Sequence, residues 1–207
     1  MPRPRRHVEA WAAALALAVV AVLALIVFVD PSLADRLSVE DGVIEWLQVV
    51  CYSAAALLFG RHLVRAAAQR HVSVLDLLTI AALVGLIIGE VDLDRRLFGT
   101  KVIATKFFVR STVALPWRVL AVLVVVGVPL AIGVYALARF RALWREGWAA
   151  LDQPWGRVLA ASAALLLVTE LLEKHLRIVP GVPRFFIEES LELLAALGIF
   201  VAAVARR

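Results

Sequence analysis

The sequence predicts an all-α, polytopic membrane helix bundle, and three observations predict it. Of its 207 residues 63% are hydrophobic, and the mean hydropathy is +0.90, well beyond the roughly half-apolar make-up of a soluble domain. Apolar runs of about 20 residues, the length that crosses a ~30 Å hydrocarbon layer, recur along the chain. The Lys and Arg residues fall mainly between those runs, where loop charges set topology.

Six spans can be drawn, in a single transmembrane domain covering residues 1–207. The first, Val8–Val29, follows the basic stretch "MPRPRRH" and is longer than the apolar core of a signal peptide, so a retained span is expected. Asp41–Gly60 is the second. Ser73 precedes the third, Val74–Glu90, with Asp76 three residues on, the spacing of a capping box. The fourth, Trp117–Ala138, opens after Pro116, where a first-turn proline is tolerated. Pro129, near Gly127 and Gly133, predicts a kink inside it. The fifth and sixth, Gly156–Leu172 and Phe186–Ala205, are separated by the turn-forming "RIVPGVPRF".

Two connections stand out. Val91–Pro116, "VDLDRRLFGTKVIATKFFVRSTVALP", mixes basic residues with Phe98, Phe107 and Phe108 and follows neither the helical nor the strand period. It reads as an interfacial or re-entrant segment covering one end of the bundle. Ala138–Arg157 carries Trp144, Trp148 and Trp155 among arginines, the composition of an interfacial anchor.

Lys and Arg divide almost evenly between the two faces. The cluster Arg3, Arg5 and Arg6 directly before the first span places both termini in the cytoplasm. The net charge of +5 is then a matter of topology and lipid headgroups, not of nucleic acid. The single cysteine, Cys51, excludes an intrachain disulfide.

The acids are distributed far less evenly. Most of the 17 Asp and Glu residues lie at the extracytoplasmic face, and acids contribute little to topology, so a local cause is required. On the second span Asp41, Glu45, Gln48 and Tyr52 form a stripe at i, i+4, i+7 and i+11. On the sixth, Glu188 and Glu192 are about 40° apart and Glu189 lies within about 100° of Glu188. Ser162, Thr169 and Glu173 share a face of the fifth span, flanked by Glu170 and Lys174, and Glu90 ends the third. The first and fourth spans are apolar all round and suit lipid. Spans two, three, five and six are therefore expected to form a polar-lined inner bundle, with one and four peripheral.

A helix dipole accounts for Glu40, Asp41, Glu188 and Glu189, which lie at helix starts. Glu45, Glu90, Glu170, Glu173 and Glu192 lie deeper or at helix ends, where the dipole gives no help, so they need cations or protons. Arg95, Arg96, Lys101, Lys106, Arg110 and Lys174 are the cations expected as headgroup contacts or ion-pair partners. Carboxylates without His or Cys suit Mg²⁺, Ca²⁺ or Mn²⁺, so a divalent cation is the cofactor this set would take. Cys51, Ser53, Ser162 and Ser190 lack the context of a nucleophile.

The stretches "EDGVIEWLQ", "EVDLDRRLFG" and "FIEESLELLAAL" together resemble the acidic helix-start signatures of small uncharacterised bacterial multi-pass membrane proteins. That resemblance implies membrane localisation and carries no activity. The sequence thus points to an integral membrane protein with a carboxylate-rich polar site at the extracytoplasmic end. That site would bind a cation, a lipid headgroup or a partner subunit within the membrane. A metal- or acid/base-dependent enzyme on a lipid-linked substrate is the first alternative, and an ion- or proton-coupled transporter the second.

Overall fold

A computed structural model describes residues 6–37, 42–69, 72–98, 114–175 and 184–206. Asp41, Lys101, Lys106 and Arg110 lie outside the described residues, as do the side chains of Glu173 and Lys174. Among the described residues every regular element is helical. Four helices among the described residues are long and apolar enough to cross a membrane: His7–Val29, Val43–Ala68, Leu115–Ala138 and Pro154–Leu172. That is the make-up of a membrane protein.

Helix α1 (Arg6–Val29) is followed by the short α2 (Pro31–Leu37). Asp30 caps α2 with one oxygen, Oδ1, which accepts from Ser32 Oγ at 2.6 Å, Ser32 N at 3.1 Å and Leu33 N at 3.2 Å. The Ser32 hydroxyl, the Leu33 N–H and, more distantly, Arg36 hold this carboxyl below its ordinary range. Helix α3 (Val43–Ala68) continues well past Gly60, so Arg61, His62 and Arg65 are helical rather than in a loop.

Helix α4 (Val74–Glu90) starts as its capping signature predicts, with Asp76 N donating to Ser73 Oγ at 3.1 Å. A turn with Asp92 in the left-handed region (φ 45°), which aspartate tolerates, leads into α5 (Leu93–Phe98). The start of the Val91–Pro116 connection is thus helical, secured by Arg95 on Asp92 at 2.9 Å and by Arg96 Nε donating to Val91 O at 2.8 Å.

Helix α6 (Leu115–Val122), a widened π turn at Leu123–Gly127 and α7 (Val128–Ala138) form one long rod. The π turn lies immediately ahead of Pro129, whose ring would otherwise meet a carbonyl of the preceding turn. Helix α8 (Phe140–Leu151) is amphipathic. Its exposed face stacks Phe140, Trp144 and Trp148 at i, i+4 and i+8, with ring centroids 5.9 and 5.6 Å apart. The other face is clamped to the start of α4: Glu146 Oε2 accepts from Ser73 Oγ and Leu75 N, both at 2.9 Å.

Helices α9 (Pro154–His175) and α10 (Arg184–Ala205) complete the fold. The most extensive packing is of α10 on α9 and on α3, and of α3 on α4. Tyr52, Ala55 and Phe59 of α3, Leu83 of α4 and Ala196, Ile199 and Ala203 of α10 make the main core. No residue of the apolar stretch of α1 is buried, and the rod from α6 to α7 buries only Ala121.

Small residues permit these close approaches. A Cβ at Gly156 would overlap the carbonyl of Ala150, which is backbone and cannot swing aside. Gly156→Ala is therefore expected to cost about 1–3 kcal/mol by forcing α8 and α9 apart, measured as a lowered thermal midpoint in detergent. At Gly198 the obstacle is the Ser162 hydroxyl, which bonds Val158 O at 2.9 Å, so the penalty there is smaller and Ser162→Ala relieves it.

Candidate functional site

The stripe on α3 runs the length of the helix. Glu45, Gln48, Tyr52, Ala55, Phe59 and His62 recur at three- and four-residue steps, so one face carries polar groups at both ends and an aromatic core between them.

At the first end Gln48 and Tyr52 are fully buried. Gln48 Nε2 donates to Glu189 of α10 twice, to its backbone oxygen at 3.1 Å and to Oε2 at 3.0 Å. Tyr52 lies within Coulombic reach of Glu90, Glu192 and Glu189. Glu90, at the C-terminus of α4, lies within reach of Glu192, Glu189 and Glu45. Glu189 in turn neighbours Glu45 and Glu188. These neighbours come from three helices, Glu45 from α3, Glu90 from α4 and Glu189 and Glu192 from α10, and each of the four is half-buried. Arg96 lines the narrow cleft with Glu45 and Glu90, whereas Arg95 is exposed and turned to Asp92. Glu170 is exposed, while its neighbour Thr169 is buried with its hydroxyl donating to Leu166 O at 2.8 Å.

Helix boundaries change the expected role of several acids. Helix α10 begins at Arg184, so its first turn holds no acid, and Glu188 and Glu189 lie a turn in. The dipole that favours anions fades over the first turn, and it does not explain these two. Conversely α3 begins after Gly42, which puts Glu45 in its first turn, where the dipole does favour it.

The buried oxygens at this end without a hydrogen-bond partner include Tyr52 Oη and Gln48 Oε1. A buried polar atom without a partner costs about 1–3 kcal/mol, so such atoms mark a place where something else completes the set. Among the described residues no three His, Cys, Asp or Glu side chains are arranged to hold a metal ion.

The opposite end of the stripe holds a second cluster. Asp76 is fully buried, and its Oδ1 lies 2.6 Å from Arg206 Nη2, an ion contact rather than an aligned hydrogen bond. Its Oδ2 lies 3.0 Å from His62 Nδ1. The guanidinium carbon of Arg206 stands 4.0 Å from the centroid of Trp155 and 5.5 Å from that of Phe59, within cation–π range of both rings. Glu146 adds a second negative charge within reach. The capping serine keeps its expected role, but the Asp76 carboxylate turns away from the cap to His62 and Arg206. Taken singly, Asp76 suits a helix cap, His62 and Trp155 interfacial groups and Arg206 a topology charge. The signal that unites them is arithmetic: Arg206 is three and seven residues beyond Ala203 and Ile199, on the buried face of α10.

Comparison with known proteins yields no matching family model, no matching curated protein and no matching solved structure.

Proposed function

We propose that the chain is a six-span protein of the bacterial inner membrane, with both termini cytoplasmic, that binds a cation at the acid-rich end of its bundle. In this reading α4 and α10 join the four apolar helices named above as spans. The inner bundle is α3, α4, α9 and α10, as their mutual packing favours, and the acid-rich end is extracytoplasmic.

The observation that carries the cation reading is the pair of orphaned oxygens, Tyr52 Oη and Gln48 Oε1, beneath mutually repelling carboxylates. All available donors are oxygens, the set for a hard cation. Among the described residues no three carboxylates form a ligating trio, so the cation of this proposal would be held through its own waters, as Mg²⁺ permits. A lipid phosphate would be repelled here, and a cationic headgroup or a basic residue of a partner subunit would meet the same acids less selectively.

Binding of Mn²⁺, followed by the loss of the free-ion EPR signal, tests this. Wild type is expected to take up one ion that Mg²⁺ displaces. Tyr52→Phe, which removes only the orphaned hydroxyl, is expected to fold normally and bind about tenfold more weakly, the worth of one hydrogen bond to a charged group. An absence of displaceable Mn²⁺ in folded wild type would refute the reading.

A further inference from the structure

The Arg206 end of the bundle has chemistry opposite to that of the acid-rich end. Beside the buried pair lies a cavity of about 330 Å³ lined by Leu58, Arg61, His62, Arg65, Ala203 and Arg206. Three guanidinium groups and an imidazole face it, with no acid among the described residues that line it. Asp76 and Glu146 bear on Arg206 from elsewhere.

Arg206 is held between Asp76 and Trp155, and its side chain is only 11% exposed. It nevertheless keeps two nitrogens, Nε and Nη1, without a hydrogen-bond partner. Buried guanidinium N–H groups without acceptors are costly, and the acceptor that matches their planar fork is a carboxylate or a phosphate. Arg61 and Arg65, one turn apart on α3 and both exposed, complete a converging set. The cavity is larger than a bare phosphate requires, and Leu58 and Ala203 give it an apolar wall. Basic pockets between membrane helices take anionic headgroups on this chemistry.

We propose that this cavity is a binding site for a phosphate group, held by Arg61, Arg65 and Arg206. The phosphate is presented either by an anionic phospholipid or by a soluble phosphate. The site is independent of the cation reading, since it lies at the other end of α3 and shares no residue with it.

The test uses the full chain reconstituted in nanodiscs of phosphatidylcholine with a minor share of phosphatidylglycerol. The lipid retained on the protein is then read by native mass spectrometry. Wild type is expected to retain phosphatidylglycerol well above its share. R61Q/R65Q, which changes two exposed residues, is expected to lose about tenfold or more of that preference. R139Q/R141Q removes the same charge from exposed residues outside the cavity and is expected to leave the preference intact. Displacement of the retained lipid by millimolar inorganic phosphate would identify a soluble phosphate as the natural occupant, and resistance to it a lipid headgroup.

The proposal is overturned if wild type shows neither lipid preference nor phosphate binding. It is equally overturned if folded R61Q/R65Q binds as wild type does, or if R139Q/R141Q loses as much as R61Q/R65Q.

Discussion

Arg206→Leu is expected to destabilise the protein by about 3–5 kcal/mol, because it leaves the fully buried Asp76 without its closest cation. At about 2–4 °C per kcal/mol for a chain of this size, the thermal midpoint should fall by roughly 10 °C. His62 remains 3.0 Å from Asp76, but its side chain is 40% exposed and cannot replace a guanidinium buried against Trp155.

The loss comes from the uncompensated charge rather than from a strong pair. Desolvating two ions offsets most of their attraction, so a pair exchanged for apolar groups is often neutral. The double variant Asp76→Leu/Arg206→Met should therefore recover most of the midpoint that Arg206→Leu loses. Ser73 Oγ would still accept from the backbone N–H of residue 76 in that variant, so the start of α4 stays capped. Thermal unfolding of the two variants in one detergent decides it, and a double variant no more stable than the single would contradict the account.

The way the two ends were visible in the sequence differs for a physical reason. The acids of α3, α4 and α10 stand out because charge inside an apolar run is costly, and helical spacing alone places Glu45, Gln48 and Tyr52 on one face. The cluster around Asp76 is built from residues that each have a sufficient local explanation: a cap, an interfacial histidine, a tryptophan anchor and a terminal arginine. Only the packing of α10 on α3 brings them together. Extending the α3 stripe past Phe59 to His62, and the α10 face past Ala203 to Arg206, would have joined them. Helix starts were less legible. Two residues at the start of α10 decide whether Glu188 and Glu189 feel the dipole, and termini are the part of a helix that pattern fixes least. The π turn ahead of Pro129 could be anticipated as a kink but not as a widened turn.

Glu90→Gln is expected to raise, not lower, the stability of the protein stripped of divalent ions. Glu90 sits at the C-terminus of α4, where the helix dipole disfavours an anion, and it is half-buried beside Glu192, Glu189 and Glu45. Glutamine keeps the shape and removes the repulsion. The variant should accordingly melt several degrees higher in the presence of a chelator. A structural ion pair involving Glu90 would give the opposite sign, since its removal would strand a cation. Thermal unfolding in chelator separates the two by the direction of the shift.

The account rests on an acid-rich layer that an external cation completes, and the dependence of wild-type stability on Mg²⁺ concentration tests this most directly. Binding to the folded state alone stabilises by RT ln(1 + [L]/Kd), which above Kd is about 1.4 kcal/mol per tenfold in ligand. The wild-type midpoint should therefore climb by roughly 3–6 °C per decade of Mg²⁺, while the Glu90→Gln midpoint stays nearly level. A wild-type midpoint that is flat across Mg²⁺, Ca²⁺ and Mn²⁺, or that rises equally in Glu90→Gln, would contradict it.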